Sequence, residues 1–377
     1  MSNVKISVIM PSLNVKPFIE ECIESVINQT LNDIEIICVD AGSTDGTLEI
    51  IEKFSKIDSR IKILHSDEKS YGHQMNLGIS HANGEYIGIV ETDDFIDEKM
   101  YETLYGLTDN ATIDIAKVNF YHFYNDLTKS KDKSKLKLPS KPFSAYEYSN
   151  ILNGHPSIWA AIYKKSFLME NNISFIEAPG GGWVDNPFLF QTMLSAKSIV
   201  YKNKALYYYR DENPDSSSNN LFDLTLPMTR MMDNLDILNE FSCKNENIIT
   251  ALYIRIFWHV RDVLKKDNFK EQKMEVLNSI YQLFIRLDEV IINKNFSIDD
   301  QKLYYKFVSP LSLIESIVPK EDYENLVKEN NFLYSYISKL ENDNKNLTKK
   351  NKDLSKDLKK TDNSNNSIFN RYLKKFK

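Results

Sequence analysis

The chain has 377 residues, 42% hydrophobic and 12% aromatic, enough for a sizeable core in two domains or in one large domain with additions. Its formal net charge of −6 is too mild to imply a partner by itself, and nothing in it suggests nucleic acid. Cys22, Cys38 and Cys243 lie far apart, with no CxxC and no His spacing that suits zinc, which points to a reducing compartment.

The first 120 residues alternate between strand and helix patterns. "VKISVIMPS" reads as a strand. "KPFIEECIESVINQ" has apolar residues at 18, 19, 22, 23, 26 and 27, a helical spacing, with Asn14 as the expected cap and Pro17 near the first turn. "IEIICVD", "IKILH" and "GEYIGIVE" read as strands; "TDGTLEIIEKFSKI", "YGHQMNLGISHA" and "DEKMYETLYGL" read as helices. Such alternation predicts an α/β fold with a mostly parallel sheet covered on both faces, and ligands outside the carboxyl ends of its strands. No charged segment with an apolar run and cleavage site precedes the first strand, and no run reaches membrane-spanning length, so a cytoplasmic protein is expected.

Residues 126–142 are a Lys/Ser-rich loop, and a strand or loop with a short helix follows from Ile151. "APGGGWVDNPFLFQTML" starts as a glycine-rich loop and turns helical near Asp185. "SIVYKNKALYYYR" reads as two short strands, and "DENPDSSSNN" as an exposed loop. From Leu224 to about Val318 the pattern is helical throughout. Then Leu326, Leu333, Leu340, Leu347 and Leu354 recur every seven residues, with Asn330, Ile337, Asn344, Asn351 and Leu358 between them. That is the pattern of a two-stranded parallel coiled coil, and it predicts a homodimer. From Lys339 onward there are 12 Lys/Arg against 5 Asp/Glu, and "RYLKKFK" at the end suits peripheral contact with an anionic membrane surface. The expected division is 1–220, an α/β domain; 221–320, a helical domain; 321–361, a coiled coil; and 362–377, a basic amphipathic tail.

The strand ends carry the chemistry. Asp40 closes the second strand before "AGSTDGT", where it suits hydrogen bonding to a base or sugar hydroxyl; the plainer alternative is a strand-to-helix turn with Ser43 or Thr44 as the cap. No glycine fingerprint follows the first strand, which argues against a dinucleotide. In "IVETDDFID", the acids Glu91, Asp93, Asp94 and Asp97 fall within seven residues. Hard divalent ions take oxygen ligands and need only one or two carboxylates beside substrate phosphates. Asp93 suits that role, whereas Asp97 suits a helix cap.

"SVIMPSLNVKPFIEECIESVINQTLNDIEIICVDAGSTDGT", followed by "MNLGISHANGEYIGIVETDDFI", resembles the family 2 glycosyltransferases with the GT-A fold, closely over 4–125 and more loosely over 150–220. The resemblance implies an inverting transfer from a nucleotide-diphospho-sugar donor, usually UDP-linked, to a glycan or lipid-linked acceptor, assisted by Mn²⁺ or Mg²⁺. By position it implies that Pro11, Ser12 and Asn14 line the nucleotide pocket, that Asp40 contacts the base, and that Asn76 and Gly78 sit near the donor. Glu91-Thr92-Asp93 takes the place of the DxD motif, with Asp93 as metal ligand and Asp94 beside it as the second expected metal residue. Glu91 departs from that motif's first Asp, and Leu13 stands where an aromatic is frequent. "GGGWVDNPF" resembles the family's acidic segment at a helix head, which implies Asp185 as general base, with Val184 where a partner acid often stands. "YYYRDENPDSSS" resembles the end of the catalytic domain, and implies Arg210 as a clamp on the diphosphate. Two competing functions are a sugar nucleotidyltransferase, which would want a basic glycine-rich loop after the first strand, and a non-catalytic coiled-coil scaffold, against which Asp40, Asp93 and Asp185 speak.

Overall fold

Ile6–Ser12 (β1) and Ile34–Asp40 (β2) are buried along their whole length, the state that near-continuous Val/Ile runs predict for central parallel strands. The structure, a computed structural model, describes residues 4–124, 129–131, 138–139, 141–211, 223–270 and 272–308. Met1–Val308 forms one compact unit; Ser309–Lys377, with the expected coiled coil and basic tail, lies outside the described residues.

Ile61–His65 (β3) pairs with β2, and Tyr86–Ile89 (β4) pairs with β1, all parallel, in the order β3-β2-β1-β4. Lys16–Ile27 (α1), Thr47–Ser55 (α2) and Tyr71–His81 (α3) are the connections. α1 buries Ile19, Cys22, Ile23 and Val26, a stripe at i, i+3, i+4 and i+7. α3 lies so close to the sheet that a Cβ at Gly78 would come within 2.5 Å of Ile9 Cγ2, so only glycine fits there.

Glu35 staples this half together. Its carboxylate accepts from Ser7 Oγ on β1 at 2.5 Å, Lys62 Nζ on β3 at 2.5 Å and the Asn83 backbone N–H at 2.5 Å. Burial alone would raise this carboxyl, but the three donors outweigh it and hold it down at about 2.

The second half of the sheet is mixed. Phe95–Ile96 (β5), Met100–Gly106 (α4), Ile115–Phe123 (β6), Lys129–Lys131 (β7), a 3₁₀ turn at Ser149–Asn153, Ala161–Lys164 (β8), Lys165–Glu170 (α5), Asp185–Ser195 (α6) and Ile199–Arg210 (β9) follow in chain order. The sheet runs β3-β2-β1-β4-β8-β6-β9-β5, with β7 also on β6; β8 is antiparallel to both its neighbours and β6 is parallel to β9. "SIVYKNKALYYYR", expected as two strands, is one strand. The polar break "KNK" is absorbed by register shifts around Asn119 on β6 rather than by a turn.

Leu226–Glu240 (α7), Glu246–Val263 (α8), Lys273–Phe284 (α9), Glu289–Asn295 (α10) and Ile298–Val308 (α11) complete the unit. α7 packs on α6, and α8 packs on the 3₁₀ turn, so the helical layer lies against the α/β part. Among the described residues no helix is long and apolar enough to cross a membrane.

Two expected caps are replaced. Asn14 is left-handed (φ 54°) and does not cap α1; its Oδ1 accepts the Thr44 N–H at 2.8 Å, and its own N–H reaches Ser43 Oγ at 3.0 Å. The start of α2 is held by Asp45, whose Oδ1 accepts from the Thr47 N–H at 2.9 Å while Oδ2 takes the Lys16 N–H at 2.9 Å. Neither Ser43 nor Thr44 caps a helix, because both are drawn across to the β1 loop.

Candidate active site

The carboxyl ends of β1, β2 and β4 meet at one edge of the sheet. Strand order reverses between β1 and β4, the place where open α/β sheets leave a crevice. Ser12 and Asp40 are register partners there. Asp40 is 1% exposed; its Oδ2 accepts the N–H groups of Gly42 at 2.9 Å and Ser43 at 3.0 Å. Gly42 turns the chain with φ +80°, which lets both amides point back at the acid. Oδ1 of Asp40 is buried with no partner, an acceptor available to a ligand N–H or O–H. Gln74 on α3 ties the two strand ends, donating to Ser12 O at 3.0 Å and Val39 O at 2.6 Å.

The acids after β4 diverge. Thr92 Oγ donates to Pro11 O at 2.7 Å, fixing the turn against β1. Glu91 accepts from Tyr71 OH at 2.6 Å. Asp94 points inward, where its two oxygens accept from Tyr207 OH at 2.9 Å and the Arg210 N–H at 2.8 Å. Burial drives Glu91 up to about 8, with the Tyr71 bond opposing and the charges of Asp93 and Asp185 adding. Asp94 is raised well above the carboxylate range, first by burial and then by Asp93.

Asp185 is the first residue of α6, and the loop before it is pinned to α3. Tyr71 donates its N–H to Gly180 O at 2.9 Å, and the Gly180 N–H bonds to Lys69 O at 2.8 Å. Asp185 Oδ1 accepts the Asn186 N–H at 2.8 Å and Asn186 Nδ2 at 3.0 Å. Burial raises its carboxyl, while the Arg255 charge and the Asn186 donors pull the other way. Trp183, at φ 54°, places its ring 5.3 Å from His259 on α8. His259 stays neutral: burial, Arg255 and His155 push it down to about 3.

Thus Pro11, Ser12, Asp40, Glu91, Thr92 and Asp93 gather at one sheet edge, and Asp185 lies near enough to act on Glu91. Asn14 braces the loop after Asp40. Asn76 bonds Phe175 O at 2.9 Å and Glu177 Oε1 at 2.8 Å, so it holds the 175–177 segment to α3. Gly78 faces Ile9 and Val39 in the core. Arg210 has its guanidinium 5.1–5.4 Å from the rings of Phe18, Phe95 and Phe123, and it pairs with Glu21 on α1. Among the described residues, Glu68, His73 and Glu177 bring ligand atoms within 4.8 Å of one another, at an exposed rim. Tyr71, Gln74, Asn186, Tyr207 and Arg255 were not expected from the sequence. Tyr71, Gln74 and Tyr207 read there as ordinary positions of amphipathic or alternating segments, and Arg255 as a polar residue of a long helix.

The profile of the family described as "Glycosyl transferase family 2" matches residues 7–170. The glycosyltransferase GlyG of Streptococcus pneumoniae is 32% identical over 256 residues, 65% of this chain and 81% of that protein. The glycosyltransferase EpsJ of Bacillus subtilis is 32% identical over 225 residues, 56% of this chain and 62% of EpsJ, a little under two thirds of its length. The crystal structure of S. aureus TarS 1–349 in complex with UDP-GlcNAc superposes with a TM-score of 0.68 at 20% identity, covering 85% of this chain and 92% of that one. At that identity the likeness concerns the fold, and the fold is the GT-A arrangement expected from the motifs.

Proposed function

Because this chain belongs to glycosyl transferase family 2, we propose that it transfers a hexose or N-acetylhexosamine from a UDP-sugar to a hydroxyl of a glycan or lipid-linked acceptor, with inversion. The observation that carries the reading is the convergence at one sheet edge: the unpaired, buried Oδ1 of Asp40 beside Ser12, and Tyr71, which joins Glu91 through its OH at 2.6 Å to the loop before Asp185 through its N–H to Gly180 O at 2.9 Å. Oδ1 of Asp40 is an acceptor suited to the imide N–H of uracil. The UDP-GlcNAc held by the TarS neighbour supports a UDP-linked donor.

Asp185 takes the proton of the acceptor hydroxyl as that oxygen attacks the anomeric carbon and the nucleotide diphosphate leaves. A carboxylate raised by burial toward working pH is a better proton acceptor than a solvated one. The donor set fits a hard cation. It is all oxygen, and the crowding of Glu91 against Asp93 and Asp185 is the kind that a cation relieves. Asp93 would hold Mn²⁺ or Mg²⁺, and Asp94 would fix the turn from behind through Tyr207 and β9. When bound, such an ion offsets the negative charge of the departing diphosphate.

Asp185→Asn keeps the shape and removes the proton acceptor. Sugar transfer or donor hydrolysis should fall by roughly a hundredfold or more, with UDP affinity unchanged by calorimetry. Near-normal turnover in that variant would move the base elsewhere.

A further inference from the structure

The helical layer sends one cation into the α/β part. Arg255, on α8, is 6% exposed and has no carboxylate in ion-pair contact among the described residues. Its Nη1 donates to Leu152 O at 3.0 Å and Gly154 O at 2.6 Å; its Nη2 donates to Asn186 Oδ1; its Nε is buried without a partner. A buried guanidinium held chiefly by neutral oxygens is costly unless a negative charge lies nearby. The nearby charge is Asp185, which resists the burial-driven fall of Arg255 to about 10. The two are linked by one amide. Asn186 takes the guanidinium on its Oδ1 and gives its Nδ2–H to Asp185 Oδ1 at 3.0 Å, so cation, amide and carboxylate form a chain.

We propose that Arg255 is a positioning residue for Asp185: acting through Asn186 it fixes the carboxyl at the head of α6, and it supplies the positive charge that balances this acid inside the protein. The proposal rests on the reading of Asp185 as base. It makes the helical region part of the active site. The same guanidinium holds the 152–154 turn, so α8 ties that turn and the head of α6 together. Among the described residues, the titratable and charged groups that interact with Asp185 are Arg255 from α8, Glu91 from the turn after β4 and Tyr71 from α3, and of these only Arg255 carries positive charge.

The test uses the full chain with Mn²⁺. UDP-glucose, UDP-galactose, UDP-GlcNAc and UDP-GalNAc are the probes, and the one hydrolysed fastest by the wild type is followed from pH 5 to 9. Removing the cation raises the Asp185 carboxyl, so the acidic limb of kcat/KM should move up by roughly one unit in Arg255→Gln, the lower end of what a neighbouring opposite charge supplies. Its kcat should fall at least tenfold at neutral pH, with donor KM and UDP affinity within about twofold of wild type. Arg255→Lys keeps the charge and should leave the limb near its wild-type position. Asn186→Ala breaks the chain while leaving the guanidinium charge in place, and it should lower kcat at unchanged donor KM. A folded Arg255→Gln with the wild-type acidic limb overturns the proposal, as does Arg255→Lys shifting the limb as far as Arg255→Gln does. If Arg255→Gln does not fold, wild-type kcat in Asn186→Ala is the refuting result. Asp185→Asn separates the two readings: if it turns over normally, both the base assignment and this proposal fall; if it is inactive while Arg255→Gln is normal, only this proposal falls.

Discussion

Replacing Glu35 with Gln tests the staple under the nucleotide half. Glu35 accepts from Ser7, Lys62 and Asn83 and is 4% exposed, so its charge is held by donors from three parts of the fold. Its carboxyl lies at about 2 in the folded chain against 4.5 ordinarily. A folded value below the unfolded one means stability that is full above pH 4.5 and lost as pH falls toward 2. Taken whole, the shift corresponds to about 3 kcal/mol at pH 7. Lys62 is half exposed, so solvent screening reduces this to about 2 kcal/mol. Glu35→Gln also sets an amide N–H₂ among three donors, which adds to the loss. The assay is urea unfolding followed by tryptophan fluorescence at pH 7 and pH 3.5. The variant should be less stable at pH 7 by about 2 kcal/mol, and the gap should narrow by about 1 kcal/mol at pH 3.5, where part of the wild-type contribution is already gone. A gap that stays constant between the two pH values refutes the argument, since only the ionised carboxylate gives it a slope.

Asp40→Ala removes the unpaired acceptor and should weaken UDP binding by tenfold to a hundredfold, the scale of one hydrogen bond to a charged group, read by titration calorimetry. UDP should bind tightly only with Mn²⁺ or Mg²⁺ present, and Asp93→Ala should abolish that dependence; equal binding in EDTA would sink the metal assignment. Tyr71→Phe keeps the ring against Phe175 and removes the bond that opposes the rise of Glu91; donor turnover should fall severalfold, measured as UDP release. Truncation after Lys320 should turn a dimer into a monomer in light scattering if the leucine heptads pair two chains; two monomers would dismiss that reading.

The sequence by itself determined the first four strands with their connecting helices, and the edge where the chemistry lies. Apolar runs of period 3.6 and continuous β-branched stretches are set by short-range geometry, so β1 to β4 and α1 to α3 could be read from the chain, and the acids at their carboxyl ends stood out. What tertiary structure decided was which polar atom meets which. Asn14 reads as a cap because its neighbours are helical, but it braces the loop after Asp40, 29 to 30 residues away. Asp93 and Asp94 are adjacent and alike in sequence, yet Asp94 is turned to Tyr207, 113 residues on. "KNK" reads as a break between strands until β6 offers an irregular register to absorb it. Arg255 has no local signal: a lone arginine in an amphipathic helix is ordinary until packing of α8 buries it beside Asn186, 69 residues earlier. Hydrophobic periodicity is written locally because it is repeated along the element. A buried charge finds its partner only once, across the fold, and that single pairing leaves no repeating mark in the chain.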